Sequence, residues 1–474
     1  YHLYVARCQY MLQQGRSVAD ALYLAPEGAP HVFRAPASAY TGSDYLPDKK
    51  GYNFDACPPS LLYQASVKDG NIVFPSGASY RILILPNFKT MRPALLSKIT
   101  DLVRDGATVV GLPPLQSPSL SDYPACDAEV RRLAKELWGD AANDGFTPSE
   151  AITEHAFGKG KIIYGAALET EADNLYPKYD FTANVLRQIT PPDFATDGEV
   201  RYIHKNHADY DYWFLANRSD KSQDTEVDLR IVGAQPELWH PVTGKRRPLP
   251  DYVEKDGITT IPLHFDAYES YFIVFRHSAE PQHIVKAEGE GNFPTLKPIQ
   301  TLDNPWQVSF DTQWGGPASI TFNQLIDWSK HENEGIKYYS GTAFYKTTFD
   351  LPDLASKPLY LNLGKVKNMA HITLNGKDLG TVWTAPWQVD ISKAAKKGRN
   401  ELTIEVVNLW ANRLIGDEQL PDDGISNGKY PDWLLNGEKR PSNRFTFSTH
   451  RHYRKDSPLL ESGLLGPVSI LSGK

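Results

Sequence analysis

The stretch ELTIEVVNLWANRLIGD, Glu401–Asp417, decides how the end of this chain folds. In its first half Leu402, Ile404 and Val406 alternate with Thr403, Glu405 and Val407, the period-2 pattern of a half-buried strand. The alternation then stops. NLWANRLIGD supplies two Asn, a Trp, an Arg and an Asp. A simple turn would draw on Gly, Pro, Asn or Asp, so the Trp and the Arg need another reason. The segment reads as a loop that ends the strand and aims Trp410 and Arg413 at something outside it.

Working outward, the last third of the chain is all-β. WQVSF, TAFYKTTFDL, PLYLNLG, MAHITLNGKDLG, WQVDI, NELTIEVVN and PVSILS read as strands, and Asn375–Gly376 as a hairpin turn. Their spacing predicts a jelly roll over 303–474. Residues 280–302 are polar and rich in Pro and Gly, a linker. Residues 196–279 hold short β segments with turn residues between them, an antiparallel β-sandwich. Over 16–195, strands (ADALYL, RILILPN, ATVVGLPP, KIIYG) alternate with helices (MRPALLSKITDLVRDG, DAEVRRLAKELWGD). That alternation predicts a parallel sheet flanked by helices, of the amidotransferase/flavodoxin-like kind. A hairpin around Pro75–Gly77 interrupts it. In residues 1–15, Tyr4, Val5, Cys8, Met11 and Leu12 follow helical spacing and Gly15 stops the helix. A chain that opens inside an amphipathic helix reads as cut from something longer.

Composition excludes several classes. The net charge is −7 and no Lys/Arg run occurs, which argues against nucleic acid and anionic membrane surfaces. No apolar run reaches the ~18 residues of a membrane-spanning helix. Cys8, Cys57 and Cys126 form neither a CxxC pair nor a disulfide framework. There is no GxGxxG and no GxxxxGK[ST], so the α/β layer has no phosphate-binding fingerprint. Cys57 is followed by two Pro and has no Gly two residues to either side, and Cys126 reads as part of a polar loop. Neither fits a strand-to-helix nucleophile, which leaves the α/β layer as a scaffold. Asp55, in GYNFD, ends an aromatic-acid cluster where open α/β sheets bind ligands; it reads equally as the N-cap of the helix begun by Pro58–Pro59. His204 and His207 stand three apart on a strand and so face opposite sides, which rules against joint metal ligation and leaves two exposed histidines.

The jelly roll carries the densest signal. WTAPWQVD places Trp383 and Trp387 around Pro386, and NLWANRLIGD adds Trp410, Asn412, Arg413 and Asp417. Aromatic faces stack on the C–H faces of sugars, and Asn, Asp and Arg fork onto paired hydroxyls. These residues are the candidate substrate contacts. The alternative is that the Trp side chains plug the ends of the sandwich and Arg413 pairs with Asp417 structurally.

Seven segments, YVARCQYMLQQGRSVAD, GYNFDACPPSLL, SVKDGNIVFPSGASYRILILP, YYSGTAFYKTTF, NGKDLGTVWTAPWQVDI, NELTIEVVNLWANRLIGD and SGLLGPVSI, together resemble the C-terminal half of glycoside hydrolase family 106, α-L-rhamnosidases of carbohydrate-degrading bacteria. The resemblance implies an N-terminal (β/α)8 barrel carrying two catalytic glutamates and a calcium, then an amidotransferase-like α/β domain and β-sandwich modules, the last galactose-binding-like. On that reading residues 1–15 are the helix that ends a missing barrel, and this chain alone is inactive. No motif supports Glu269, Glu401 or Glu405 as catalytic, so no catalytic residue and no metal ligand is assigned. The implied reaction is hydrolysis with inversion by two carboxyls ~6.5–9.5 Å apart, with calcium holding sugar hydroxyls. The implied partners are a rhamnose-containing glycan of plant polysaccharides or glycosides and the barrel of the same protein. The substrate class implies a periplasmic or extracellular location. The competing reading is a free-standing, non-catalytic carbohydrate-binding or scaffold protein.

Overall fold

Strand Gly398–Val407 buries Asn400, Leu402, Ile404 and Val406 on one face, as the alternation predicts. It lies in the computed structural model of the chain, which describes residues 1–28, 32–39, 49–142, 152–165, 175–277, 291–352 and 358–473. The chain forms two units, Tyr1–Asn292 and Phe293–Lys474. No helix among the described residues is long and apolar enough to cross a membrane.

The first unit contains a mixed six-stranded sheet in the order Phe54–Cys57, Ala21–Leu24, Ile82–Ile84, Thr108–Val110, Gly160–Tyr164, Thr153–Phe157. The first five strands are parallel and the last is antiparallel. Ala21–Leu24 and Ile82–Ile84 are buried along their whole length, which explains their unbroken apolar sequence. Helix Pro93–Asp105 starts on a Pro, stops at Gly106, and buries Leu95, Leu96, Ile99, Leu102 and Val103 at helical spacing. Helix Ala125–Trp138 packs beside it, and its Trp138 indole donates to the Gly111 carbonyl at 2.9 Å. Cys126, expected in a loop, is a buried residue of this helix. The hairpin expected at Pro75–Gly77 joins Asn71–Val73 to Ser79–Tyr80.

Two antiparallel sheets complete this unit. One runs Arg16–Ser17, Val200–Asn206, Tyr210–Asn217, Ser270–Arg276, Pro236–Trp239, Arg246–Pro248; the other runs Phe194–Thr196, Gln223–Leu229, Ile258–Phe265, Val253–Lys255. They meet through Phe194 stacked on Tyr202 and Phe265 against Tyr271. The opening helix, His2–Gln13, covers the outer face of the first sheet, with Cys8 and Met11 on Tyr212, Phe272 and Val274. Both faces of Ser270–Arg276 are therefore covered, and SYFIVF is buried without a break. Arg7 fastens the helix by donating to the carbonyls of Pro241 and Val242 at 2.9 and 2.7 Å.

His204, expected at the surface, is only 6% exposed. Its Nδ1 lies 2.9 Å from Asp193 and its Nε2 3.3 Å from Asp211, and its ring stacks on Trp213 at 3.7 Å. Carboxylates at both nitrogens favour the doubly protonated ring, which can donate to both. Burial works against that charge, but Asp193 and Asp211 outweigh it and raise the pKa. The chain of opposite charges continues: Arg230 reaches Asp193 and Asp20, and Arg81 reaches Asp20.

The second unit is built from antiparallel sheets. Its largest runs Ile320–Phe322, Trp306–Phe310, Thr342–Leu351, Gly398–Val407, Met369–Leu374, Lys377–Val382. A four-stranded sheet runs Lys297–Thr301, Ser469–Ser472, Leu359–Asn362, Gln388–Asp390. Part of the segment read as a linker, Lys297–Thr301, is thus an edge strand; residues 278–290 lie outside the described residues. Asn375 and Gly376 both have positive φ, 52° and 77°, as a two-residue hairpin turn requires.

Candidate functional site

NLWANRLIGD is not a loop: Ala411–Asp417 is a short helix. Asn408, Asn412 and Asp417 turn inward because each holds a distant backbone group. Asn408 donates to the Tyr339 carbonyl at 2.8 Å and accepts from the Gly341 amide at 3.0 Å, which fixes YYSG. Asn412 donates to the Leu460 carbonyl at 2.7 Å and accepts from the Leu460 amide at 2.8 Å. Both amides also reach the Ser462 hydroxyl. Arg413 Nε lies 3.2 Å from Asp417 Oδ1, an ion pair by distance whose N–H is not aimed at the oxygen. The Arg413 guanidinium sits over the Phe445 ring at 4.6 Å. Asp417 accepts from the Thr446 amide and hydroxyl at 2.6 and 2.7 Å.

The predicted site residues therefore separate. Asn412, Arg413 and Asp417 are 1%, 5% and 2% exposed and are engaged within the unit. Trp410 is 52% exposed and stands edge-on to Trp314 at 5.5 Å. Trp383 and Trp387 are half-buried in the connection between Lys377–Val382 and Gln388–Asp390, where Trp387 packs on the core. Asp55 belongs to the first unit. It is exposed on edge strand Phe54–Cys57 and accepts from the Tyr80 hydroxyl at 2.9 Å, while Pro58 takes the N-cap position of the next helix.

Beyond Asp417 the chain makes an excursion that ends at strand Gly463–Gly466. It is held by arginine–carboxylate pairs rather than by a ladder. Arg440 grips Asp423 with two bonds of 2.6 and 2.8 Å. Arg444 bonds Glu418 at 2.9 Å and the carbonyls of Pro421 and Leu420 at 2.9 Å each. Arg451 pairs with Asp422. These pairs wall an open recess, whose other side is Thr446–Tyr453. Hydrogen bonds from Arg440 and Ser442 hold the Asp423 carboxyl at about 2, and the Gly424 amide and Arg451 hold Asp422 low. Both stay ionised at neutral pH, as acceptors rather than proton donors. Sequence reading missed this recess, although the run His450–Arg451–His452–Tyr453–Arg454 is a dense polar-aromatic signal.

In the first unit, Cys57 is buried and its thiol is pushed up to about 12, which removes it as a nucleophile. Among the described residues no group of three or more His, Cys, Asp or Glu is placed to hold a metal ion.

The chain has recognisable relatives. The pattern of the α-L-rhamnosidase family matches residues 1–254, and that of the glycosyl hydrolase 2 galactose-binding-like domain matches residues 325–444. A solved rhamnosidase of Novosphingobium sp. PP1Y is 32% identical over 99% of this chain and 40% of its own, with a TM-score of 0.76. A Formosa agariphila protein with the provisional name β-glucuronidase is 27% identical over 98% of this chain and 56% of its own length. The chain thus spans about half the length, or less, of the relatives it matches. With more than half of its residues inside the first pattern, the chain belongs to the α-L-rhamnosidase family, glycoside hydrolase family 106.

Proposed function

We propose that this chain is the accessory region of an inverting glycoside hydrolase that releases α-L-rhamnose from plant polysaccharides or glycosides. The observation that carries the reading is the alignment with the Novosphingobium rhamnosidase, which takes in 99% of this chain and 40% of that enzyme. The chemistry of the carboxylates supports it. Inversion needs one carboxyl poised as an acid across a water-sized gap from a base. The recess carboxylates Asp422 and Asp423 are held low, and Asp20, raised by burial, is sealed under Arg230 and Arg81. These groups brace and bind; they do not exchange protons with a substrate. In this reading a (β/α)8 barrel supplies the acid, the base and the calcium, and no step runs through residues described here.

The amidotransferase/flavodoxin-like reading of the α/β layer is supported by its parallel strands, which lie in chain order 2-1-3-4-5. On the second unit Trp410 offers an exposed aromatic face to a glycan, carried by a helix that Asn412, Arg413 and Asp417 fix in place, and Trp383 and Trp387 are further contacts of that unit; Asp55 is a separate candidate contact on the first unit. A polysaccharide substrate supports a periplasmic or extracellular location. The test is an aryl α-L-rhamnoside assay on this 474-residue chain and on the full-length enzyme. Hydrolysis by the full-length enzyme alone is expected. Turnover by this chain at a comparable rate would place the catalytic carboxyls within it and overturn the accessory reading.

A further inference from the structure

We propose that the recess between the end of helix Ala411–Asp417 and the Thr446–Tyr453 segment binds a neutral glycosyl unit. The inference rests on the glycan-processing reading above and assigns it a site. The observation behind it is a hydrogen-bonded wall whose charges cancel, facing polar side chains that make no hydrogen bond within the described residues.

The wall is fixed before any ligand arrives. Asp423, Arg440 and Arg444 spend their hydrogen bonds on one another and on nearby backbone. Asp417 is saturated on one oxygen by Thr446. Little ordering cost remains to be met on binding. The recess is lined by four carboxylates, Asp417, Glu418, Asp422 and Asp423, and by three guanidiniums, Arg440, Arg444 and Arg451. Arg413, paired with Asp417 from behind, makes four against four. Such a site has no net field to draw in a phosphate, a uronate or a cation. A neutral polyol suits it, because each hydroxyl both donates and accepts.

The opposite side supplies the unused groups. Among the described residues the rings of His450 and His452 and the Tyr453 hydroxyl make no hydrogen bond. The two imidazoles touch edge to face at 4.7 Å. Phe447, 36% exposed, adds an apolar face for the C–H side of a pyranose.

The test is titration of methyl α-L-rhamnopyranoside, and separately of sodium D-glucuronate, into the 474-residue chain. Saturable binding of the rhamnoside is expected, with glucuronate weaker. His450→Ala and Tyr453→Phe should each weaken it by about tenfold, the cost of roughly one good hydrogen bond. His450 is exposed, so its variant is expected to fold; far-UV circular dichroism checks this, and Tyr453→Phe keeps the ring. Glucuronate binding tighter than the rhamnoside overturns the proposal, as does rhamnoside binding that neither substitution alters. If the chain binds no rhamnoside while the full-length enzyme still hydrolyses an aryl α-L-rhamnoside, the recess proposal fails and the function reading stands.

Discussion

Asn412 holds Leu460 from both sides, donating to its carbonyl at 2.7 Å and accepting from its amide at 2.8 Å, across 48 residues of chain. Asn412 is buried while Leu460 is 42% exposed, so the bonds tie a surface segment to the interior of the unit. Asn412→Ala should destabilise the second unit by about 1–2 kcal/mol, because it removes two part-buried hydrogen bonds to Leu460 and a buried one to Ser462. Trp410→Ala, two residues away and half exposed, should stay within about 0.5 kcal/mol. Urea unfolding of both variants checks this, and equal losses would refute the division into brace and contact.

Gly416 is the small residue that lets the same helix approach Tyr338. A Cβ there would lie 2.6 Å from the Tyr338 Cβ and 2.5 Å from Arg413 Nη2. Gly416→Ala should cost about 1–3 kcal/mol as overpacking, although Ala is the better helix former. A thermal melt showing stabilisation would mean the helix has room to move.

His204 makes the first unit sensitive to alkali. Its folded pKa is raised above the ordinary ~6.5, since the carboxylates of Asp193 and Asp211 outweigh the burial that would lower it. The stability from its charge is therefore fully present below about pH 6.5 and is lost as pH rises through the folded value. His204→Ala should reduce that dependence and cost about 2–3 kcal/mol by taking a hydrogen-bonded cation from Asp193 and Asp211, which keep Arg230 and His277 as partners. Denaturant midpoints between pH 6 and 10 would show it; a wild-type profile that parallels the variant's would contradict it.

The opening helix is part of the sheet it covers. Met11 is 7% exposed against Tyr212 and Phe272. Met11→Ala should cost about 2–5 kcal/mol as a core cavity. An unchanged first-unit transition would show that the helix is dispensable to the sandwich.

Much of this fold was legible because it rests on short-range pattern. The alternation of Leu402, Ile404 and Val406, the Asn375–Gly376 turn and the unbroken run SYFIVF each encode a burial geometry within ten residues. What escaped depends on partners far along the chain. Seven helical residues give too few turns for a period to declare itself, and the reason for Asn408 and Asn412 lies at Tyr339, Gly341, Leu460 and Ser462. His204 looked exposed because nothing near it announced that Asp193 and Asp211 would close on it. The recess was invisible for the same reason: Arg440 finds Asp423 across 17 positions and Arg444 finds Glu418 across 26, with only the one-turn helix Asp432–Leu435 between to signal the pairing.

The central claim is that this chain serves an enzyme that removes α-L-rhamnose with inversion. Proton NMR of the full-length enzyme acting on an aryl α-L-rhamnoside, with an aryl β-D-glucuronide in parallel, tests it most directly. The account predicts β-L-rhamnose as the first-formed sugar and no release from the glucuronide. Appearance of α-L-rhamnose first, or hydrolysis of the glucuronide in preference to the rhamnoside, would contradict it.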